Sequence, residues 1–443
     1  MKYPEYSHLN FKEIDQSILD YWRKESLFEK SVAQRSASPS FVFYEGPPSA
    51  NGMPGIHHVI ARAIKDLFCR YKSMKGYKVE RKGGWDTHGL PVELGVEKSL
   101  NIKKEDIGTK ISVEDYNKAC RTEVMKYKEA WDELTERMGY WVDLENPYIT
   151  FDNNYIETLW HLLKMLFDKD MLYKGYTIQP YSPAAGTGLS SHELNLPGCY
   201  REVKDTTVVA MFELSDSADE FFMAWTTTPW TLPSNTALGG GAKIDYVQVN
   251  SVNPYTGKAC KLWLAEALLK KWFDPEMENS SFQDYKIGDK KVPYIILKKC
   301  KGKELEGIRY KQLINGPKPK EGDAFKVLIG DFVTTEDGTG IVHLAPSFGA
   351  DDMRVCNQNG VGALTMVDQS GKFTDDCPQW AGRYVKHFRD EDNFESVDID
   401  IAVYLKQQSQ AFRVEKYAHS YPHCWRTDKP ILYYPLDLSL IHI

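Results

Sequence analysis

The chain has 443 residues, 42% of them hydrophobic, and a formal net charge of −7. That length can bury more than one core, which excludes a disordered chain and predicts two or more domains. The acidic balance removes a global basic field for nucleic acid, although local patches can still steer one. No apolar run approaches the roughly 18 residues of a membrane span, and the N-terminus lacks an apolar leader segment, so a soluble, cytoplasmic protein is expected.

In chain order, Ile14, Ile18, Leu19 and Trp22 recur at helical spacing before “SVAQRSASPS” breaks the pattern, predicting an N-terminal helix and a linker. “SFVFYEG” then reads as a buried parallel strand ending at Gly46. From Ile56 through Val59, Ile60, Ala63, Ile64, Leu67, Phe68 and Tyr71 an apolar stripe predicts a core-facing helix. With “GYKVERK” as the next strand, the segment forms a βαβ unit. Further helices are predicted over Tyr116–Met138 and Tyr155–Phe167.

The texture changes after Tyr181. Between about Ser191 and Ala402, “TTVVAMFEL”, “EFFMAW”, “YVQVN”, “VPYIIL” and “GIVHLA” alternate with Gly, Pro and Asn turns, which predicts a β-rich insertion. “HSYPHCW” and “ILYYPLDL” return to strand-like text. The eight cysteines are scattered without a C-x-x-C pair, so neither a disulfide framework nor a zinc knuckle is expected.

Two stretches carry chemistry. In “GPPSANGMPGIHH” a strand ends in glycines and opens a helix, which collects free backbone N–H groups and the positive end of the helix dipole at one point. The spacing is that of neither a P-loop nor a dinucleotide fingerprint. His58 either donates to developing charge on phosphorus or caps the helix end, and adjacent His57 and His58 lie on different faces, which disfavours a metal. The second stretch, “WTTTPWTLPSN” (Trp225–Asn235), presents three hydroxyls in succession. It is followed more than a hundred residues later by “GTGIVHLAPSFGADD”, with His343 on a strand and Asp351 and Asp352 opening a helix. Taken singly, those threonines suit a strand and those aspartates an N-terminal turn.

“GPPSANGMPGIHH”, the following Lys65-Asp66 and “GGWDTHGLPVE” (Gly83–Glu93) together resemble the nucleotide-binding half of the class I aminoacyl-tRNA synthetases, and within that class the isoleucyl-tRNA synthetases. The similarity runs to about Asp437. It implies an α/β fold: an N-terminal helix and linker over 1–38, the first half of a Rossmann-like ATP-binding catalytic domain over 39–190, an inserted β-barrel-rich editing domain over 191–405, and a return to an incomplete catalytic domain over 406–443. Gly46, Pro47, Asn51, Gly52 and His58 would line the ATP and adenylate site, with His58 catalytic. Pro47 and Asp86 would contact the amino acid, Asp86 through its ammonium, because an aliphatic side chain offers no polar handle. For Trp85 and His88, core packing beside a strand is the alternative.

The family signature His-x-Gly-His reads here Gly55-Ile56-His57-His58. Helix-face geometry implies that His57 cannot replace the absent ring, and that it points away or shifts the adenine. The ATP pocket is therefore expected to be reshaped.

In the insertion, the resemblance implies that Thr226, Thr227, Thr228 and Asn235 line a hydrolytic pocket, that His343 limits its size, and that Asp352 binds the ammonium of a misattached amino acid. One methylene is worth only about 1–3 kcal/mol of discrimination, the handicap of isoleucine against valine that is the standard worked case, and a second site supplies the remaining fidelity. Where related enzymes carry paired zinc cysteines, this chain has Ser182, Ala185, Cys424 and Thr427, so no structural zinc is expected. The second ATP motif, a Lys-Met-Ser-Lys-Ser loop, and the anticodon-binding domain are missing from this text, which ends “LSLIHI”; a truncated or frame-shifted product is expected. The lysines of Leu297–Lys311 either touch the tRNA acceptor end or form a solvated face.

The reading is an isoleucine-tRNA ligase with ATP and Mg2+, partnered by tRNA(Ile) and isoleucine, with no membrane partner, monomeric, and hydrolysing misattached valine. The alternatives are a non-catalytic binder of tRNA or isoleucine, and a stand-alone misacyl-tRNA deacylase.

Overall fold

A computed structural model describes residues 8–390 and 394–441, with side chains to residue 438. The chain forms two compact units, one over residues up to Tyr173 and one over Lys174–Leu440.

The first unit opens with α1 (Phe11–Lys24), α2 (Leu27–Ala33) and the strand β1 (Ser40–Tyr44). Part of the expected linker is therefore helical, since α2 runs to Ala33 and is entered through Ser26 in the left-handed conformation. There follow α3 (Ile56–Met74), β2 (Lys78–Trp85), α4 (Leu90–Leu100), α5 (Val113–Val124), α6 (Lys128–Arg137), β3 (Asp143–Ile149) and α7 (Asn153–Phe167). The sheet order is β1-β2-β3 with both pairings parallel, so β1-α3-β2 is the expected βαβ unit. Gly84 of β2 has to be glycine, because a Cβ there would lie 2.3 Å from the Tyr148 ring.

Two expectations fail on burial. The β1 side chains Val42 and Tyr44 are exposed rather than buried, and the α3 stripe faces outward, with Ile56 78% and Leu67 64% exposed. The buried residues of α3 are instead Arg62 and Cys69. Periodicity reveals that a face is apolar and not what it meets. The predicted helix over Tyr116–Met138 is two helices, α5 and α6, broken where the Tyr127 N–H donates to the Ala50 carbonyl at 3.0 Å and Met125 and Tyr127 pack beside Trp85 and Trp131.

The second unit contains β4 (Leu172–Ser182), which begins just inside the first, then β5 (Thr187–Gly188), α8 (Ser191–Leu194), β6 (Tyr200–Glu213), β7 (Glu220–Thr226), β8 (Ala237–Gly240), β9 (Asp245–Val252) and β10 (Ala259–Ala265). It continues with α9 (Leu269–Trp272), β11 (Ile295–Lys301), β12 (Val327–Ile329), β13 (Ile341–Leu344), α10 (Ala350–Gln358), α11 (Val397–Gln407), β14 (Ala411–Pro422) and β15 (Leu432–Ile441). The strand predicted at “VPYIIL” starts only at Ile295. Three sheets have the orders β11-β9-β10-β7-β6-β14, β12-β8-β13 and β15-β4-β5.

Strand alternation sets the cores. Val208, Ala210 and Phe212 of β6 face one apolar cluster with Tyr181 and Tyr434, while Val209 and Met211 face another with Val247 and Leu262. The segment 174–190, read from sequence with the first half, thus shares the core of the second unit through Tyr181, whose ring lies 5.5 Å from that of Tyr434. The cysteines among the described residues are free thiols. No described helix is long and apolar enough to cross a membrane.

Candidate functional site

The loop after β1, the first turns of α3 and Trp131 of α6 border an open pocket of about 410 Å3 in the first unit. Gly46, Asn51, Gly52 and His58 line it, whereas Pro47 and Asp86 are not among its lining residues. Asp86 nevertheless stays close to the loop, since its N–H donates to the Pro48 carbonyl at 3.0 Å and its Oδ1 accepts the His88 N–H at 3.3 Å. His88 Nδ1 pairs with Thr150 Oγ1 at 3.0 Å, and Trp85 is core, packed with Ala50 and Trp131.

His58 both caps the helix and faces the cavity. Its Nδ1 accepts the Gly55 N–H at 2.8 Å, so the proton of the neutral ring sits on Nε2, which is left as a donor. Burial, then the fields of His57 and Arg62, lower its pKa and keep the ring neutral near pH 7. Its ring lies 4.6 Å from that of Trp131, whose indole N–H donates to the Gly52 carbonyl at 2.8 Å and so fixes the loop.

The geometry of His57 corrects the helix-face argument. A Cβ built on Gly55 would meet His57 Cε1 at 2.9 Å and Nδ1 at 3.0 Å, so the His57 ring lies over the place a side chain at 55 would take. Gly55 is the N-cap, with extended backbone (φ −104°, ψ 170°), and the rules for positions within a helix do not apply to it.

Two cations not expected from the sequence as site residues belong to the pocket. Arg62 and Lys65 also line the cavity. With His58 they stand at i, i+4 and i+7, one helix face, and that spacing was the available signal. Arg62 lies over Trp131 at 4.9 Å, and its Nε donates to Thr135 Oγ1 at 3.3 Å. Lys65 Nζ is 2.5 Å from Glu45 Oε1, and the buried Glu45 carboxylate also accepts the Tyr140 hydroxyl. A neutral imidazole donor, two cations and a helix N-terminus around one cavity suit a polyanion.

The second constellation lies in the second unit. Thr226 Oγ1 accepts the Thr228 N–H at 3.1 Å, and the short 3-10 helix Pro229–Ser234 follows. Thr227 and Thr228 are half-buried, whereas Asn235 and His343 are interior. A buried chain of hydrogen bonds joins them: Tyr310 Oη donates to Asn235 Oδ1 at 2.7 Å, Asn235 Nδ2 to His343 Nδ1 at 2.9 Å, and His343 Nε2 to Thr231 Oγ1 at 2.9 Å. The Thr231 hydroxyl in turn donates to the Thr228 carbonyl at 2.9 Å. Burial holds the His343 pKa down at about 3, so the imidazole is neutral and its tautomer defined.

Asp352 stands in the first turn of α10, where its Oδ2 accepts the Ala345 N–H at 2.8 Å. Burial pushes its carboxyl up to about 6, against the pull of that bond. The Trp230 ring meets Phe348 at 5.0 Å, which ties the threonine turn to the segment carrying Asp352.

The lysine cluster is largely paired: Lys299 with Glu266, Lys301 with Asp245, Lys303 with Glu306 and Lys311 with Glu213. Cys424 is buried against Leu189, Leu194 and Ile431. Among the described residues no group of three or more His, Cys, Asp or Glu could hold a metal.

The family model for class I tRNA synthetases (I, L, M and V) matches residues 17–294. The chain belongs to this family. A protein of Bacteroides fragilis named isoleucine–tRNA ligase is 56% identical over 98% of this chain and 41% of its own length. A protein of the same name from Porphyromonas gingivalis is 56% identical over 98% of this chain and 42% of its own length. The chain thus spans about two fifths of the curated relatives it matches. A solved structure of the agnB2 LeuRS of Agrobacterium radiobacter K84, in ternary complex with tRNA and LeuAMS, gives a TM-score of 0.33 at 15% identity over 95% of this chain and 50% of that one.

Proposed function

We propose that the chain is the part of an isoleucine–tRNA ligase that activates isoleucine with ATP, and that its second unit hydrolyses valine misattached to tRNA(Ile). The observation that carries this is the 56% identity, over 98% of the chain, to relatives bearing that name. The domains would be those drawn above, with a Rossmann-like catalytic half over 39–190 and an editing insertion over 191–405.

In the first unit the triphosphate lies between His58 Nε2–H, Arg62 and Lys65, and the adenine and ribose lie on the loop around Gly46, Asn51 and Gly52. His58 donates to the α-phosphate as charge builds there during attack by the isoleucine carboxylate. No carboxylate lines this cavity among the described residues, so Mg2+ would enter on the triphosphate oxygens and share their charge. Asp86, beside Pro47 and Pro48, takes the ammonium of isoleucine.

In the second unit Asp352 takes the ammonium of the valyl ester, and Thr226, Thr227 and Thr228 place the 3′ adenosine and a water. Asn235 and His343 act from behind, by fixing the Thr231–Thr228 turn and closing the site to a larger side chain. Hydrolysis then rests on positioning.

Isoleucine-dependent ATP–pyrophosphate exchange, measured beside deacylation of valyl-tRNA(Ile), tests both halves. Exchange with isoleucine and deacylation together are expected. Deacylation alone would leave a stand-alone editing protein, and neither would leave a binder.

A further inference from the structure

Beneath the threonine turn lies a buried ion cluster that neither proposed reaction uses. Asp398, 1% exposed in the first turn of α11, accepts the Trp230 N–H on Oδ1 at 2.9 Å. Its Oδ2 faces Lys386 Nζ at 3.2 Å and the Ser396 hydroxyl at 3.5 Å. Lys386, 8% exposed, also reaches Asp205 Oδ2 at 2.8 Å, which accepts His419 Nε2 at 3.2 Å, and the Tyr421 ring lies 5.2 Å from the ammonium.

Such a cluster is a poor source of stability. Desolvating a lysine and two carboxylates costs about what their attraction returns, and apolar isosteres often do as well. What it does supply is a fixed acceptor at one point. The turn Pro229–Ser234 starts with a residue that has no N–H, so Trp230 carries its first free donor, an orphan at the start of any helix. Asp398 satisfies that donor from 168 residues away in sequence. The far end of the same turn is held by Asn235 and His343, and its middle by the bond from Thr231 to the Thr228 carbonyl.

We propose that Lys386 and Asp398 are positioning residues of the hydrolytic site: the ammonium holds the carboxylate under the Trp230 N–H, and this fixes Thr226–Thr228 against the turn. The proposal rests on the hydrolytic reading of the second unit.

Three variants of the protein test it: Asp398→Ala, Lys386→Met, and Lys386→Met with Asp398→Asn, which keeps an acceptor for Trp230 without a buried charge on either residue. Asp398→Ala should speed amide exchange over 229–235 at least tenfold while leaving 245–252 unchanged. It should also lower kcat for valyl-tRNA(Ile) hydrolysis at least tenfold with KM within twofold. The double variant should return both quantities to within about threefold of the parent, and Lys386→Met alone should resemble Asp398→Ala. Unchanged exchange over 229–235, faster exchange spread evenly across the unit, or a local change without a fall in kcat would each overturn it. A parent protein that does not hydrolyse valyl-tRNA(Ile) would instead refute the hydrolytic reading, and the exchange pattern alone would still decide whether the pair pins the turn.

Discussion

Asn235 donates through Nδ2 to His343 Nδ1 at 2.9 Å, and the same amide nitrogen donates to the Ala237 carbonyl at 2.8 Å. Asn235→Asp would turn both contacts into oxygen or nitrogen acceptors facing a carboxylate. It should cost about 3 kcal/mol at pH 7.5, the penalty of buried polar groups left unpaired. The loss should shrink near pH 5, because the new carboxylate raises the His343 pKa and a protonated ring restores one donor. Urea unfolding at the two pH values measures the difference.

Asp352 yields a prediction of opposite sign. Its folded pKa is raised to about 6, so between the ordinary carboxyl value and 6 the folded state binds more protons than the unfolded one. Stability therefore falls as pH rises through that window, and the penalty is complete above it. Asp352→Asn keeps an acceptor for the Ala345 N–H and should stabilise the second unit by about 1–2 kcal/mol at pH 7.5, with the gain gone below about pH 4. The same variant should lose valyl-tRNA(Ile) hydrolysis, as should Asp352→Ala. Melting curves across pH and a deacylation assay read the two effects separately, and retained hydrolysis contradicts the assigned role.

Gly55 and His57 should behave as a coupled pair. Gly55→His places a ring where the His57 ring already lies, and overpacking should cost about 1–3 kcal/mol. Adding His57→Gly should recover most of it. The double variant should also bind ATP and adenylate mimics several-fold differently from the parent, and calorimetric titration giving equal affinities would show that the exchange of rings does not reshape the pocket.

Cys424 is packed in an apolar cluster with Leu189, Leu194 and Ile431. Elemental analysis should find far less than one zinc per chain, and a chelator should leave melting unchanged. Stoichiometric zinc would refute the expectation.

The βαβ unit was legible because its signals are local: a β-branched run ending in glycine, a helix at 3.6-residue spacing, and a second such run. Arg62 and Lys65 were legible in principle, at one helix face with His58, but charged residues on a helix read first as a solvated surface. The outward stripe of α3 was not legible, since periodicity records amphipathicity and is silent about orientation. The Asn235–His343–Thr231 chain and the Trp230–Asp398 bond join residues 108 or more apart, and no local pattern encodes such pairs. The place of the His57 ring is not legible from helix-face rules, because Gly55 is the cap residue and its backbone is extended.

The β6–β14 ladder also brings together the two ends of the segment between those strands. Tyr200 at the start of β6 stands opposite Pro422 at the end of β14, so the polypeptide enters and leaves this sheet one strand spacing apart. Ends held this close need no connecting span of their own, so exposed loops between the intervening strands can change length without pulling on the points of entry and exit. Closeness of the two ends does not make the intervening residues separable, since Val208, Ala210 and Phe212 of β6 share one core with Tyr181 and Tyr434, which lie outside them.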